Sequence, residues 1–315
     1  MSRRGWWLFA AMSLIWGIPY LLIKVAVGGV EPPVLVLARV GIGAALLLPV
    51  AIRRRELAPL LPHWRWLVLF ALVEIMAPWL LLSEAETRLS SSLSGLLIAS
   101  VPILVALLSR LTGGPDRLTA VRWAGLLVGL CGVGLLVASG GAHGDARSVG
   151  EVLLVAVCYS IGPLIASRKL SGLPSLGMTA ACLAFAAVAY APLAAMTWPS
   201  AVPSGKVLAS LAGLAVLCTA AAFVLFFALI AEAGPARASV ITYINPAVAV
   251  TLGVLVLGER LTVSMAVAFV LILGGSVLAT RSGRGARAEV ADRSAGPAPA
   301  QVARDYRSAH QGAPD

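Results

Sequence analysis

Residues 244–262 read INPAVAVTLGVLVLGERLT, and residues 100–119 read SVPILVALLSRLTGGPDRLT. Each stretch opens on a proline inside an apolar run and closes on Leu-Thr after an acid–arginine pair. Pro102, Thr119 and Gly132 recur as Pro246, Thr262 and Gly275, at a nearly constant offset of 143–144 residues. Working outward from this echo, five membrane-length apolar segments run from Trp6 to about Ala138, and five more from about Val149 to Thr280. Five is odd, so the second copy must enter the membrane from the side opposite to the first. An inverted repeat of this kind implies a secondary transporter with a binding site between the halves.

Composition agrees with the segment count. The chain of 315 residues is 59% hydrophobic and only 12% charged, with a mean hydropathy of +0.93. About a quarter of a soluble domain is charged, so a water-soluble fold is excluded. Each crossing needs about 20 apolar residues. The expected spans are 6–27, 33–52, 65–83, 91–111, 119–138, 149–167, 176–197, 207–230, 236–257 and 262–280. Lipid cannot satisfy exposed backbone groups, so the spans should be helices, and the strand alternation of a barrel is not visible. The predicted fold class is therefore all-α integral membrane, with ten transmembrane helices as two inverted five-helix repeats. The predicted domains are 6–138 and 149–280, followed by a disordered cytoplasmic tail over 281–315. That tail is rich in Ala, Arg, Gly and Pro and lacks an apolar period. The first span follows Arg3 and Arg4 but exceeds the apolar core of a usual signal peptide, so a retained helix is expected.

The net charge of +10 has an asymmetric distribution. With the amino end inside, the inner loops hold twelve Lys and Arg, dense at Arg53, Arg54, Arg55, Arg168 and Lys169, before the tail. The outer loops hold four, Arg88, Arg147, Lys206 and Arg260. This bias places both termini in the cytoplasm and explains the charge without nucleic acid. Trp6, Trp7, Trp64, Trp66, Trp123 and Trp198 fall at span ends, as an interfacial belt requires. Trp16 and Trp79 lie deeper. Gly125, Gly129 and Gly132 in the fifth helix, and Gly274 and Gly275 in the tenth, suit close helix packing within the chain, or else a homodimer. The four cysteines stand alone inside spans and suggest neither zinc nor disulfides. No cofactor or metal is expected.

The second half carries Gly234-Pro235-Ala236-Arg237-Ala238-Ser239, then Tyr243-Ile244-Asn245-Pro246, then Leu257-Gly258-Glu259-Arg260-Leu261-Thr262. The first helix carries Trp16-Gly17, with Lys24 further along. In these patterns the chain is similar to the EamA-type branch of the drug/metabolite transporter superfamily, over about residues 6–280. The resemblance implies an exporter or exchanger of small metabolites. It further implies a central cavity lined mainly by helices one, three, four, six, eight and nine. Amino acids, sugars, nucleotide sugars and organic cations are all substrates within the family. The first repeat departs from the pattern at Gly114-Pro115-Asp116-Arg117, where one residue is inserted, and Tyr159 stands near a position where Trp is common.

On a helical wheel Ser13, Trp16, Tyr20 and Lys24 share one stripe, which should face the bundle interior. Lys24 either snorkels to the outer interface or meets a carboxylate. Glu74 lies mid-span. A charge there costs roughly 2.5–3.5 kcal/mol on insertion scales, so it should point inward, serving cation recognition or proton coupling, or packing as a neutral carboxyl. Arg39 is expected to pair with Glu31 or reach the outer headgroups. Glu84, Glu86 and Arg88 are expected to form a solvated outer cluster, or else a vestibule that attracts cations. Thr242, Tyr243 and Asn245 precede Pro246, whose missing N–H should break the ninth helix and expose polar backbone. Trp79, Tyr159, Phe223 and Tyr243 would complete an aromatic wall, with polarity supplied by helices one, three and nine. Gly17, Pro19, Pro102, Gly162, Pro163 and Pro246 are the expected flex points of a rocking mechanism.

The reading is thus a secondary transporter, an exporter or exchanger of a small metabolite such as an amino acid or organic cation. It would sit in the bacterial inner membrane as a monomer or homodimer, with protons as a possible coupling ion. A membrane enzyme is disfavoured, because His63, His143 and His310 lie outside the spans and no HExxH, GxSxG or Walker pattern occurs. A non-transporting scaffold is the other alternative.

Overall fold

The computed structural model describes residues 1–111, 119–138 and 145–280. The predicted tail and the inserted residues at 114–117 lie outside that set. Every regular element among the described residues is helical. Nine helical segments among them are long and apolar enough to cross a membrane: span 1 Arg3–Ala26, span 2 Pro32–Arg53, span 3 Ala58–Arg88, span 4 Ser91–Leu108, span 5 Ala120–Ala138, span 6 Ala146–Lys169, span 7 Ser175–Met196, span 8 Gly205–Ala233 and span 10 Val263–Thr280. Span 9, Ile241–Leu257, is shorter.

Helix ends follow local chemistry. Ser2 Oγ accepts from the Gly5 N–H at 3.0 Å and opens span 1. Ser90 Oγ accepts from Leu93 N–H at 3.2 Å and opens span 4. Both hydroxyls satisfy amides that a helix start leaves without partners. Span 9 ends on Gly258, which takes the left-handed conformation (φ 67°). The amide of Glu259 then reaches back to the Gly253 carbonyl at 3.0 Å.

The helices pair as an inverted repeat requires. Span 2 packs on span 7 and span 4 on span 9, each on its own counterpart. Span 3 packs on span 6 while span 1 packs on span 8, and these two contacts exchange under the repeat. Spans 5 and 10 meet through glycine. A Cβ built on Gly125 would lie 2.5 Å from the Ala279 nitrogen, and one on Gly275 2.4 Å from the Gly129 nitrogen. Gly125, Gly129, Gly132 and Gly275 thus serve packing within the chain, whereas a Cβ on Gly274 would meet nothing within 4 Å.

The surface is that of a protein in lipid. Leu46, Leu72, Val224, Leu255 and Val270 are all exposed, an apolar periphery that water would not tolerate. The six belt tryptophans are exposed as well, whereas Trp79 is buried.

Two of the expected breaks occur and two are corrected. Span 1 does break, at Trp16–Ile18, with Pro19 starting its second half. Span 4 breaks at Ala99–Ser100, ahead of Pro102. Span 9, however, runs unbroken through Pro246. Its interruption lies at Ser239–Val240, after the short turn Pro235–Ala238. Span 6 also continues through Pro163. A single proline removes one hydrogen bond, and flanking packing here keeps the helix intact. The Gly17–Pro19 and Gly162–Pro163 sites are therefore not a matched pair of kinks.

Two stretches widen instead. Ala71–Met76 in span 3 and Gly213–Ala221 in span 8 are π-helical. At the repeat offset the first maps inside the second, so both repeats carry the same irregularity. Such widened turns recur at functional sites. Each is anchored by a hydroxyl. Tyr190 in span 7 donates to the Met76 carbonyl at 2.9 Å, and Thr219 donates to the Leu214 carbonyl at 2.8 Å.

Candidate functional site

The two widened turns frame a buried polar centre. Glu74 projects from the first against span 6, where Gly162 makes room for it. A Cβ on Gly162 would lie 1.8 Å from Glu74 Oε2. That oxygen is buried and has no hydrogen-bond partner among the described residues. Gly162, predicted as a hinge, is thus the space that admits the carboxyl.

Arg39 forms the other pole, and the expected contact with Glu31 or headgroups is corrected. Span 2 starts at Pro32, so Arg39 lies seven residues inside it, about 10 Å along the axis. It is 6% exposed. Its Nε donates to Thr219 Oγ1 at 2.9 Å, and its guanidinium lies 3.6 Å over the Trp79 ring. The widened turn of span 8 therefore holds Arg39 by an edge, and Trp79, in the turn that follows that of span 3, holds its face. The Trp79 indole reaches the Tyr159 hydroxyl, and Tyr159 lies within electrostatic reach of both Arg39 and Glu74. Tyr20, buried in span 1, lies within reach of Tyr159, Arg39 and Glu86.

Of the predicted binding residues, Tyr20, Glu74, Trp79 and Tyr159 come together. Arg39 and Thr219 join them, and sequence reasoning assigned neither to the site. The available signal was depth, since a guanidinium two turns past a proline-marked helix start is too far in to snorkel easily. Trp16 and Phe223 form a separate aromatic cluster. Their ring centroids lie 6.1 Å apart, with Phe226 at 4.5 Å from Trp16. Gly17 sits at a close approach to span 9, where a Cβ would lie 2.4 Å from that of Val248.

The expected polar face of span 9 is occupied by its own backbone. Thr242 Oγ1 donates to the Ser239 carbonyl at 2.8 Å. With the side-chain amide of Asn245 turned so that its NH2 faces two carbonyls, it donates to Ser13 at 3.1 Å and Ile241 at 2.9 Å. Asn245 thereby ties span 9 to span 1. Tyr243 is half-buried on the same helix. Polarity at the centre comes from spans 1, 2, 3, 6 and 8, which corrects the expectation of spans one, three and nine.

The end of the bundle where span 3 turns into span 4 holds a second group. Lys24 donates to the carbonyls of Glu86 and Leu89, each at 2.7 Å, which closes the end of span 3 with a cation. Glu86 is fully buried, not solvated as expected. The reason is local packing: Lys24 of span 1 bonds the Glu86 carbonyl, and Lys24, Glu259 and Ser94 lie within reach of its carboxyl. Arg88 instead crosses to span 6, meeting Asp145 at 2.5 Å and Glu151 at 3.4 Å. The Ser148 hydroxyl, and then Arg88, hold the Asp145 carboxyl below the usual carboxylate range. Glu259 accepts from the Ser91 amide at 2.7 Å and the Ser92 amide at 2.9 Å. It thus caps a first-repeat helix from the second repeat. Replacing Glu259 with alanine should lower stability by about 1–2 kcal/mol, read as a fall in thermal midpoint, with glutamine falling less.

A repeated bundle of apolar helices around a buried polar centre is the build of a polytopic membrane protein. The chain belongs to the EamA-like transporter family, whose model matches residues 3–138 and 149–281, one match per repeat. It is 27% identical to a protein of Escherichia coli K12 described as uncharacterized inner membrane transporter YedA, over 80% of this chain and 82% of that one. It is 24% identical to the uncharacterized transporter YvbV of Bacillus subtilis, over 84% and 88%. A solved crystal structure shares the fold, with a TM-score of 0.62 and 22% identity over 88% of this chain and 96% of that one.

Proposed function

We propose that this chain is a secondary transporter that exports or exchanges a small metabolite by alternating access between its two repeats. Both termini are cytoplasmic, and the coupling ion is the proton. The observation that carries the reading is Glu74. Its carboxyl lies mid-span, against a glycine that leaves it space, with one buried oxygen unpartnered among the described residues. An unpaired intramembrane acid is costly to keep and is retained where it binds something that comes and goes. A proton and a substrate amine are both suited to that carboxyl, and occupancy by one excludes the other. Tyr159, Tyr20 and Trp79 give the same centre aromatic faces suited to a cationic group. The widened turns in spans 3 and 8 are the places where the two halves can change register with little rearrangement elsewhere.

The test is flux in proteoliposomes. Purified protein should accumulate an amino acid or organic amine against its gradient when a proton gradient is imposed in the opposite direction. Accumulation should collapse when that gradient is dissipated. Flux that ignores the proton gradient overturns the coupling, and no flux of any compound that stabilises the protein overturns the transport reading.

A further inference from the structure

Arg39 is a buried cation whose protein partners do not use it up. Among the described residues its only hydrogen bond is the one from Nε to Thr219 Oγ1, and no carboxylate pairs with it. Neither terminal nitrogen of its guanidinium donates to a described group. Lys24, for which meeting a carboxylate is one of two expected roles, spends its ammonium on two backbone carbonyls at the end of span 3. We infer that Arg39 is the anion-recognition residue of the transport site and that the substrate carries a carboxylate, received by the two free nitrogens of that guanidinium.

The geometry favours this assignment over a simple strut between helices. Stacking on Trp79 fixes the plane of the guanidinium, and the Thr219 bond fixes its rotation within that plane. What stays available is the fork of terminal donors, the part of arginine that matches a carboxylate by two parallel hydrogen bonds. A strut would be served as well by lysine or by a neutral donor. Glu74 and Trp79 are five residues apart on span 3, about 7 Å along its axis. An acid at one end and a stacked guanidinium at the other are therefore spaced to hold the two ends of one small zwitterion. Both fixing groups belong to or adjoin the widened turns, so a change of either turn would move the fork and alter its hold on the anion. Arg39 has no counterpart in the second repeat, where the offset leads to Cys182. The site thus has one anion pole, not two.

This inference rests on the transporter reading for its meaning, and its test is built so the two can fail separately. Full-length protein in detergent is titrated with the proteinogenic amino acids, each beside its amide, and stabilisation against heat is followed. At least one acid should stabilise the wild type, and its amide should bind roughly 10-fold more weakly or worse, as expected for loss of a charge-assisted hydrogen bond. Arg39→Gln should abolish that preference for acid over amide. Arg39→Lys, which keeps the charge and removes the fork, should weaken acid binding while keeping its sign, and serves if the glutamine variant does not fold. No acid preference in the wild type, or an undiminished one in either variant, overturns the inference. Binding that depends on Arg39 without flux in proteoliposomes would leave the inference standing and remove the transporter reading. Flux of an amine lacking any acid, unaltered by Arg39→Gln, would do the reverse.

Discussion

Replacing Glu74 with glutamine should uncouple transport from the proton gradient and leave the protein folded. The two side chains are nearly isosteric, so the glutamine amide would still fit the space beside Gly162. It can neither release a proton nor hold an amine by charge. Losing a charged hydrogen bond is worth about 1.5–3 kcal/mol, hence roughly 10- to 100-fold in affinity for a cationic substrate. Stability should hold or rise, because a mid-membrane charge of about 2.5–3.5 kcal/mol disappears. Function and stability therefore move apart, which a purely packing role for Glu74 would not produce. Gly162→Ala offers an independent check. The added methyl would lie 1.8 Å from Glu74 Oε2, so the carboxyl must swing away. Its effect on flux should largely vanish in the Glu74→Gln background, since residues acting through one contact are not additive. Proton-driven flux at the wild-type level in Glu74→Gln would remove this acid from the mechanism.

What the sequence reveals and conceals about this centre follows from the length scale of each signal. Span number, repeat and lipid exposure are written in runs of about 20 residues, where single errors average out. So the belt tryptophans separate cleanly from Trp79, and Glu74 is legible as inward-facing because lipid offers it nothing. Arg39 is less legible because a long flexible side chain near a helix start has two homes, headgroup and interior. The choice depends on Trp79 and Thr219, which lie on other helices. The widened turns have no composition of their own. They arise from how spans 3 and 8 pack, and they shift the faces of the residues that follow. Proline was over-read for a related reason. Pro246 and Pro163 sit in helices whose neighbours hold them straight, while the true interruption of span 9 falls at Ser239–Val240. Asn245 then serves the backbone near that interruption, a role no spacing rule assigns.

The centre is chemically one-sided although the fold is repeated. Glu74, Arg39, Trp79 and Tyr20 all come from the first repeat, and the second contributes Tyr159 and Thr219. The offset carries Arg39 to Cys182, and it carries Glu74 to the vicinity of Leu217 and Cys218. Symmetry is thus kept in the backbone, in the paired widened turns, and abandoned in the side chains of the polar centre. A small asymmetric metabolite needs distinct poles, and a strictly symmetric site would present the same group twice.

The largest structural effect is expected where the two repeats touch through bare backbone. Gly275→Leu should abolish the folded state or lower its thermal midpoint severely, while Gly274→Ala, one residue away, should be neutral or mildly stabilising. At Gly275 a Cβ would lie 2.4 Å from the Gly129 nitrogen, 2.6 Å from the Gly125 oxygen and 2.6 Å from the Gly129 Cα. All three are main-chain atoms, so no rotamer change relieves the clash and spans 5 and 10 must separate. Even a modest excess of volume in a packed interior costs about 1–3 kcal/mol, and here the close approach at Gly125, where a built Cβ would lie 2.5 Å from the Ala279 nitrogen, would be lost as well. At Gly274 nothing lies within 4 Å of a built Cβ, and alanine in a helix is favoured over glycine by about 1 kcal/mol. Fluorescence-detected size exclusion before and after heating distinguishes the pair. Equal behaviour of the two variants would mean that the span 5–span 10 contact does not hold the repeats together. A selective loss of dimer in Gly275→Leu, with the monomer intact, would move these glycines to an interface between chains.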